Sequence, residues 1–189
     1  MTVSESEGRA DFMKTFFIAD THFGDENIIR YENRPFAGSA DMEEAVVKAW
    51  NAAVGDDDEV FVLGDFSVFK DIDTNREILA KLAGKKYLIM GNHDSLTPEE
   101  WRECGFEFVS RYPVIYDGYW MLSHEPLYVN SNMPYANIFG HVHSSDMYRD
   151  FSEHSFCVSL ERIGYAPVAF EVIKEKVINA GKATKIFKV

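Results

Sequence analysis

The chain has 189 residues, with 19 Lys and Arg against 31 Asp and Glu and a formal net charge of −12. At about 150 residues per domain this is one domain, large enough to bury roughly 70% of its unfolded surface without a disulfide or zinc staple. A content of 46% hydrophobic and 26% charged residues excludes a disordered chain.

Two cysteines, Cys104 and Cys157, exclude a disulfide framework and a thiolate-built metal cluster, and fit a cytoplasmic, reducing setting. No apolar run approaches the roughly 20 residues of a membrane span. Residues 1–13 read as a flexible leader, too polar for a secretory signal, and 14–189 as a single domain. The acidic balance weighs against tracking a nucleic-acid backbone. It leaves room for a phosphate-bearing substrate if bound cations supply local positive charge.

Thr15 to Ala19 is a short apolar run predicted as a buried strand ending at Asp20. A helix is predicted over Asp41 to Val54, capped by Asp41 and stopped by Gly55. Val60 to Leu63 is a second strand leading into Gly64-Asp65. Thr74 to Ala83 is a helix with Glu77 in a capping box, and Tyr87 to Met90 a third strand running into Gly91-Asn92-His93-Asp94. Thr97-Pro98-Glu99-Glu100 carries a cap, a first-turn proline and a capping-box glutamate, and Gly105 closes that helix. Val114 to Tyr116 and Tyr119 to Leu122 flank an Asp117-Gly118 hairpin turn. Ile138-Phe139 and Phe156 to Leu160 are further strands, and a last helix is predicted from Pro167 to Asn179, stopped at Gly181. Strand–helix alternation followed by a strand-rich half suggests two packed sheets with helices outside.

Five of the six histidines follow apolar strand runs. The groups are Asp20 and His22, then Asp65, then Asn92, His93 and Asp94, then His124, then His141 and His143. Carboxylate and imidazole without thiolate suit borderline divalent ions. On extended backbone, residues i and i+2 of Asp-x-His and His-x-His point to one side. Ligands at the carboxyl ends of neighbouring strands would converge at one sheet edge. Asp65, bracketed by Gly64 and Phe66, is the candidate bridge between two ions.

The series Asp20-Thr21-His22, Gly64-Asp65, Gly91-Asn92-His93-Asp94, His124, Gly140-His141-Val142-His143 resembles the calcineurin-like metallophosphoesterase superfamily, with all five motif blocks in order. Asp20 to Phe36 further resembles a small single-domain bacterial and phage branch, which usually has histidine where this chain has Asp25. The resemblance implies an α/β (α+β), four-layer αββα sandwich of two mixed sheets flanked by helices. It implies one metal on Asp20, His22, Asp65 and His143 and a second on Asp65, Asn92, His124 and His141. His93 would face the substrate as acid, with Asp94 holding its ring. The two divalent ions would be manganese first, with iron, zinc, nickel or cobalt as alternatives. A bridging hydroxide would attack phosphorus in line with the leaving group.

The expected activity is hydrolysis of a phosphodiester, a small nucleotide or cyclic phosphate before long nucleic acid. A phosphomonoesterase of the same fold and a metal-holding interaction module without turnover are the alternatives. No membrane partner is expected. Asn27, Arg30 and Arg34 are candidate substrate contacts, although Arg30 and Arg34 have Glu26 and Glu32 as nearby ion-pair partners. Phe23, Tyr31 and Phe36 read as core before nucleobase pocket, and Tyr128 and Asn130 are weaker pocket candidates. His154 reads as an exposed loop residue, Asp56 to Glu59 as a solvated turn, and Cys157 as core.

Overall fold

The computed structural model describes residues 13–130, 132–145 and 154–186, the last helix with side chains through residue 179. The predicted leader therefore lies outside the described residues except for Met13. The strands are β1 (Thr15–Ile18), β2 (Glu59–Val62), β3 (Lys85–Ile89), β4 (Phe108–Ser110), β5 (Val114–Tyr116), β6 (Trp120–Leu122), β7 (Ala136–Phe139), β8 (Ser155–Cys157) and β9 (Val168–Ala169). The helices are α1 (Glu26–Tyr31), α2 (Ser39–Ala53), α3 (Ile72–Ala80), α4 (Pro98–Cys104), α5 (Leu160–Ile163) and α6 (Phe170–Ile186).

They form two mixed sheets flanked by helices. The first has the order β4-β3-β2-β1-β9, parallel except for β9; the second has the order β5-β6-β7-β8, parallel except for β5. Strand period decides which core each side chain joins. Phe16, Ile18, Val60 and Val62 pack with Met42, Val46, Trp50, Ile78 and Trp101 of the helices. Their neighbours Phe17, Ala19, Phe61 and Leu63 pack with Trp120, Leu122 and Ile138 of the second sheet, and with Phe170 and Ile173 of α6. Phe17 stacks on Phe61 and meets Tyr116 and Phe170 edge-on or tilted. Each such buried aromatic or aliphatic side chain contributes about 1.5–3 kcal/mol of transfer free energy.

Several predicted boundaries shift for identifiable reasons. α2 starts at Ser39, and Asp41 caps nothing; its carboxylate accepts from the Ala37 amide instead. α3 starts at Ile72 because the Asp71 side chain accepts from the Thr74 amide, so no Thr74–Glu77 box forms. The Thr97–Glu100 capping box is present. Asp117 and Gly118 both have positive φ, 48° and 66°, as a two-residue hairpin turn requires. The run from Phe156 splits into β8 and the short α5, and the run from Pro167 into β9 and α6. Gly181 does not stop α6, since the Lys-Ala-Thr-Lys that follows continues a helix and one interior glycine costs only about 1 kcal/mol. α1 and β4 were not predicted.

Candidate metal centre

Five strands deliver the site, all from their carboxyl ends. β1 runs into Asp20 and His22, β2 into Asp65, β3 into Asn92 to Asp94, β6 into His124, and β7 into His141 and His143. β1, β2 and β3 are parallel, as are β6 and β7, so these ends share one edge of each sheet. Hydrogen bonds then tie the β1 and β2 loops to each other and to the β7 loop of the second sheet. The Asp20 amide donates to Gly64 O at 3.0 Å, and the His22 amide to Asp65 O at 2.9 Å. The His141 amide reaches across to the Asp20 carboxylate at 2.9 and 3.0 Å.

The ligand pairs do not converge through an extended backbone, as the sequence suggested. Asp20, His22, Asp65, His141 and His143 have φ of 59°, 48°, 54°, 69° and 46°. They are five of the eight non-glycine residues with positive φ among the described residues. Sparsely populated backbone of this kind costs about 1–3 kcal/mol per residue and persists where the surroundings over-determine it. Here the amide bonds above hold three of the five turns.

Two glycines let the loops touch. Gly64 has φ +85°, and a Cβ there would lie 2.3 Å from His124 Nδ1 and 2.7 Å from Gly91 N. A Cβ at Gly91 would lie 2.3 Å from Asp65 Oδ1 and 2.7 Å from Asp65 N. No other residue type fits either position without moving a candidate ligand.

Three groups of donors have an atom from each member within 4.8 Å of one another. One, Glu32, Glu161 and His143, shares His143 with the next; the other two are Asp20, His22 and His143, and Asp65, His124 and His141. Asp65 Oδ2 stands between these two, 3.5 Å from His22 Nε2 and 3.3 Å from His124 Nε2. Asn92 Oδ1 is 3.0 Å and His141 Nδ1 3.1 Å from His124 Nε2. The seven predicted ligands therefore meet in space.

Their chemistry fits divalent cations. His22 is 2% exposed, yet neither ring nitrogen has a hydrogen-bond partner, which is costly unless a ligand takes the lone pair. His124 Nδ1 lies 2.9 Å from the Leu63 carbonyl, which can only accept, so Nδ1 carries a proton. In the neutral ring Nε2 then presents a lone pair to Asp65, Asn92 and His141, which is how a metal-ligating imidazole is oriented.

Burial raises the Asp20 pKa to about 6, against His143 and His124, which lower it. Burial lowers His22 to about 4, against Asp65. Asp65 lies near 2 because its contacts with His124 and the His93 amide outweigh burial, and His124 is raised to about 9 mainly by Asp65 and Asp20, also against burial. The site thus confines carboxylates around imidazoles, one of which resists taking a proton.

The residues around the donors divide differently from the sequence expectation. Asp94 does not hold the His93 ring. It is buried, its oxygens accept from the amides of Asp65, Phe66 and Gly91 at 2.9, 3.0 and 2.7 Å, and it thereby ties the β3 loop to the β2 loop. Burial pushes its pKa to about 7, against those amides. His93 is exposed; its amide donates to Asp65 Oδ1 at 2.8 Å, and its ring centroid is 5.1 Å from that of His22.

Arg34 cannot contact a substrate. Its side chain is buried and donates to Asp20 O at 2.7 Å, to Thr21 O at 3.2 Å and to Glu161 Oε1 at 2.8 Å. Asn27 and Arg30 are exposed on α1. Asp25 caps α1, with Oδ1 2.8 Å from the Asn27 amide, and places Oδ2 3.5 Å from His22 Nδ1. Phe23 and Phe36 belong to the core, whereas Tyr31 and Tyr128 are exposed. Asn130 Oδ1 accepts from the Asn132 amide. His154 is half-buried rather than exposed, and its carbonyl accepts from the Asn137 amide in the second sheet. Cys157 is half-buried, with its thiol 3.2 Å from Ser159 Oγ.

Sequence reasoning missed Glu161, Arg162 and Asn137. Glu161 Oε1 lies 3.2 Å from His143 Nδ1, and Arg162 donates to the carbonyls of His143 and Ser145. Buried Asn137 donates to Met121 O and Ser123 Oγ and accepts from the Leu127 amide, bracing the loop that carries His124. No spacing pattern marks these residues; their partners are 10 or more positions away in most cases.

A fold of two mixed sheets with a carboxylate–imidazole cluster at their shared carboxyl edge defines a class of metal-dependent phosphoester hydrolases. The family model for calcineurin-like phosphoesterase matches residues 13–183, and the chain belongs to that family. It is 36% identical over 180 residues to an uncharacterised protein of Methanocaldococcus jannaschii, covering 91% of this chain and 95% of that one. It is 35% identical over 92 residues to the gene 66 protein of Mycobacterium phage L5, covering 44% of this chain and 41% of that one. A protein of unknown function from Aquifex aeolicus superposes with a TM-score of 0.66 at 24% identity, over 86% of this chain and 98% of that one, a likeness of fold. Among the described residues no helix is long and apolar enough to cross a membrane.

Proposed function

We propose that this phosphoesterase hydrolyses a phosphodiester, a small nucleotide or cyclic phosphate, with Asp20, His22, Asp65 and His143 holding one divalent cation and Asp65, Asn92, His124 and His141 a second. Manganese is the first choice of ion, with iron, zinc, nickel or cobalt as alternatives. The observation that carries this reading is the pair of donor groups flanking Asp65 Oδ2, each with its ligand atoms within 4.8 Å. Cations held there would neutralise phosphoryl oxygens and lower the pKa of an attacking water.

The chain's own residues do the rest. Asp65 keeps the two groups at a fixed separation, because its other oxygen is anchored on the His93 amide. His93 stands exposed beside the donors and protonates the leaving-group oxygen. That step matters most for an alkoxide or nucleoside leaving group, and so favours a diester. Asn27 and Arg30, on α1 next to His22, contact the ester beyond the cations. The net charge of −12 disfavours a long polyanion. Free thiols at Cys104 and Cys157 support a cytoplasmic setting.

The test is hydrolysis of bis-p-nitrophenyl phosphate and of p-nitrophenyl phosphate by the manganese-loaded protein. Faster cleavage of the diester is expected. Faster cleavage of the monoester would make the protein a phosphomonoesterase. Hydrolysis of neither, with manganese bound, would make it a binding module.

A further inference from the structure

We propose that Arg34 and Glu161 are a positioning pair for the cation site at Asp20, His22 and His143, locking the His143 ring and the Asp20 turn into ligating geometry. The inference rests on the cation-binding reading above.

Buried Arg34 does three things at once. Its guanidinium donates to the carbonyls of Asp20 and Thr21, which fixes the left-handed turn that aims Asp20 and His22 inward. Its Nε and Nη2 lie 2.8 and 2.7 Å from Glu161 Oε1. That same oxygen lies 3.2 Å from His143 Nδ1. One planar group thus connects the β1 loop to the β7 loop through Glu161.

The consequence for His143 is a defined tautomer. A carboxylate held by a guanidinium is an acceptor, and Glu161 Oε1, fixed by Arg34, faces His143 Nδ1. It draws the imidazole proton onto Nδ1, leaving the Nε2 lone pair for the group formed with Asp20 and His22. The backbone is clamped as well, since the next residue, Arg162, donates to the carbonyls of His143 and Ser145. α5 is one helical turn long, and its two charged residues grip both the ring and the chain of one ligand. Lysine at position 34 would bring a charge without the fork that spans two carbonyls and a carboxylate.

The rival role for the ion pair is plain stability, and buried pairs are weak stabilisers. The experiment therefore separates folding from cation binding. Manganese titration calorimetry is run on wild type, Glu161→Ala, Glu161→Gln, His143→Ala and the double variant Arg34→Met with Glu161→Leu, which leaves no uncompensated buried charge. The imidazole nitrogens of ¹⁵N-histidine-labelled, cation-free protein are followed by NMR.

The expected result is a loss of affinity of about 10–100-fold in Glu161→Ala and in the double variant. It should fall on the binding step that His143→Ala also weakens, leaving the other step unchanged, with partial recovery in Glu161→Gln. The His143 Nδ1–H signature should weaken in the same variants, although the double variant unfolds cooperatively like wild type. If wild type binds and every Glu161 variant binds equally, this inference falls alone. If wild type takes up no cation, the reading of the site falls and the inference with it.

Discussion

Gly91→Ala isolates the closeness of the loops from their chemistry, because it adds one methyl group and no charge. Its φ is not in the left-handed region, so alanine suffers no backbone penalty there and restricts the unfolded chain, a gain of about 0.4–1 kcal/mol. Against this, the new Cβ would sit 2.3 Å from Asp65 Oδ1, 2.7 Å from Asp65 N and 2.8 Å from His124 Cε1. The first of these is about 1 Å short of ordinary contact, and overpacking of this kind costs about 1–3 kcal/mol. The side chain of Asp65 cannot swing away freely, since Oδ1 accepts from the His93 amide and Oδ2 faces His22 and His124.

The clash therefore wins. A net loss of about 1–2 kcal/mol lowers Tm by about 2–8 °C in a chain of this size. A ligand displaced by about 1 Å lowers turnover by roughly 10²-fold. Thermal unfolding and diester hydrolysis measure the two effects. Gly55→Ala is the control, because its Cβ would meet only Asp58 Oδ2, at an ordinary 3.5 Å. If Gly91→Ala matched Gly55→Ala in both assays, the argument from loop contact would be refuted.

Two further outcomes follow from the same geometry. Glu161 is held near pKa 2, below its ordinary 4.5, by His143 and Arg34 against burial. Its stabilising contribution is therefore complete above about pH 4.5 and is lost as the pH falls toward 2, so the Tm gap between wild type and Glu161→Gln should shrink over that interval; a gap that widened on acidification would reverse the assignment. His93→Ala should lower kcat for a diester with a poor leaving group by about 10²–10⁴-fold, with manganese uptake unchanged in calorimetry. Loss of cation binding in that variant would make His93 a ligand instead.

What could be read from the chain was whatever repeats a local pattern. Apolar runs such as Phe16 to Ile18 and Val60 to Leu63 announce strands, and polar residues at the ends of such runs announce a site at the carboxyl edge of a sheet. The Thr97–Glu100 box is local and was legible for the same reason. The conformation at the ligands was not, because nothing in Asp-Thr-His distinguishes extended from left-handed backbone; the turn is imposed by amide bonds to Gly64 and Asp65, more than 40 positions away. Asp94 looked like a partner for its neighbour His93, yet its oxygens find three amides that only the folded loops bring together. Arg34 looked like a phosphate clamp because arginine suits phosphate, but its partner is Glu161, 127 positions distant. Side chains that support a site from behind depend on tertiary contacts, and a short helix such as α5 carries too few turns to show periodicity.

The central claim is that the two donor groups hold one divalent cation each on either side of Asp65. Anomalous scattering at the manganese edge, from crystals soaked in manganese chloride, measures this directly. Two peaks are expected, one among Asp20, His22 and His143 and one among Asn92, His124 and His141, both within bonding distance of Asp65. A single peak, or peaks on other side chains, would contradict the account.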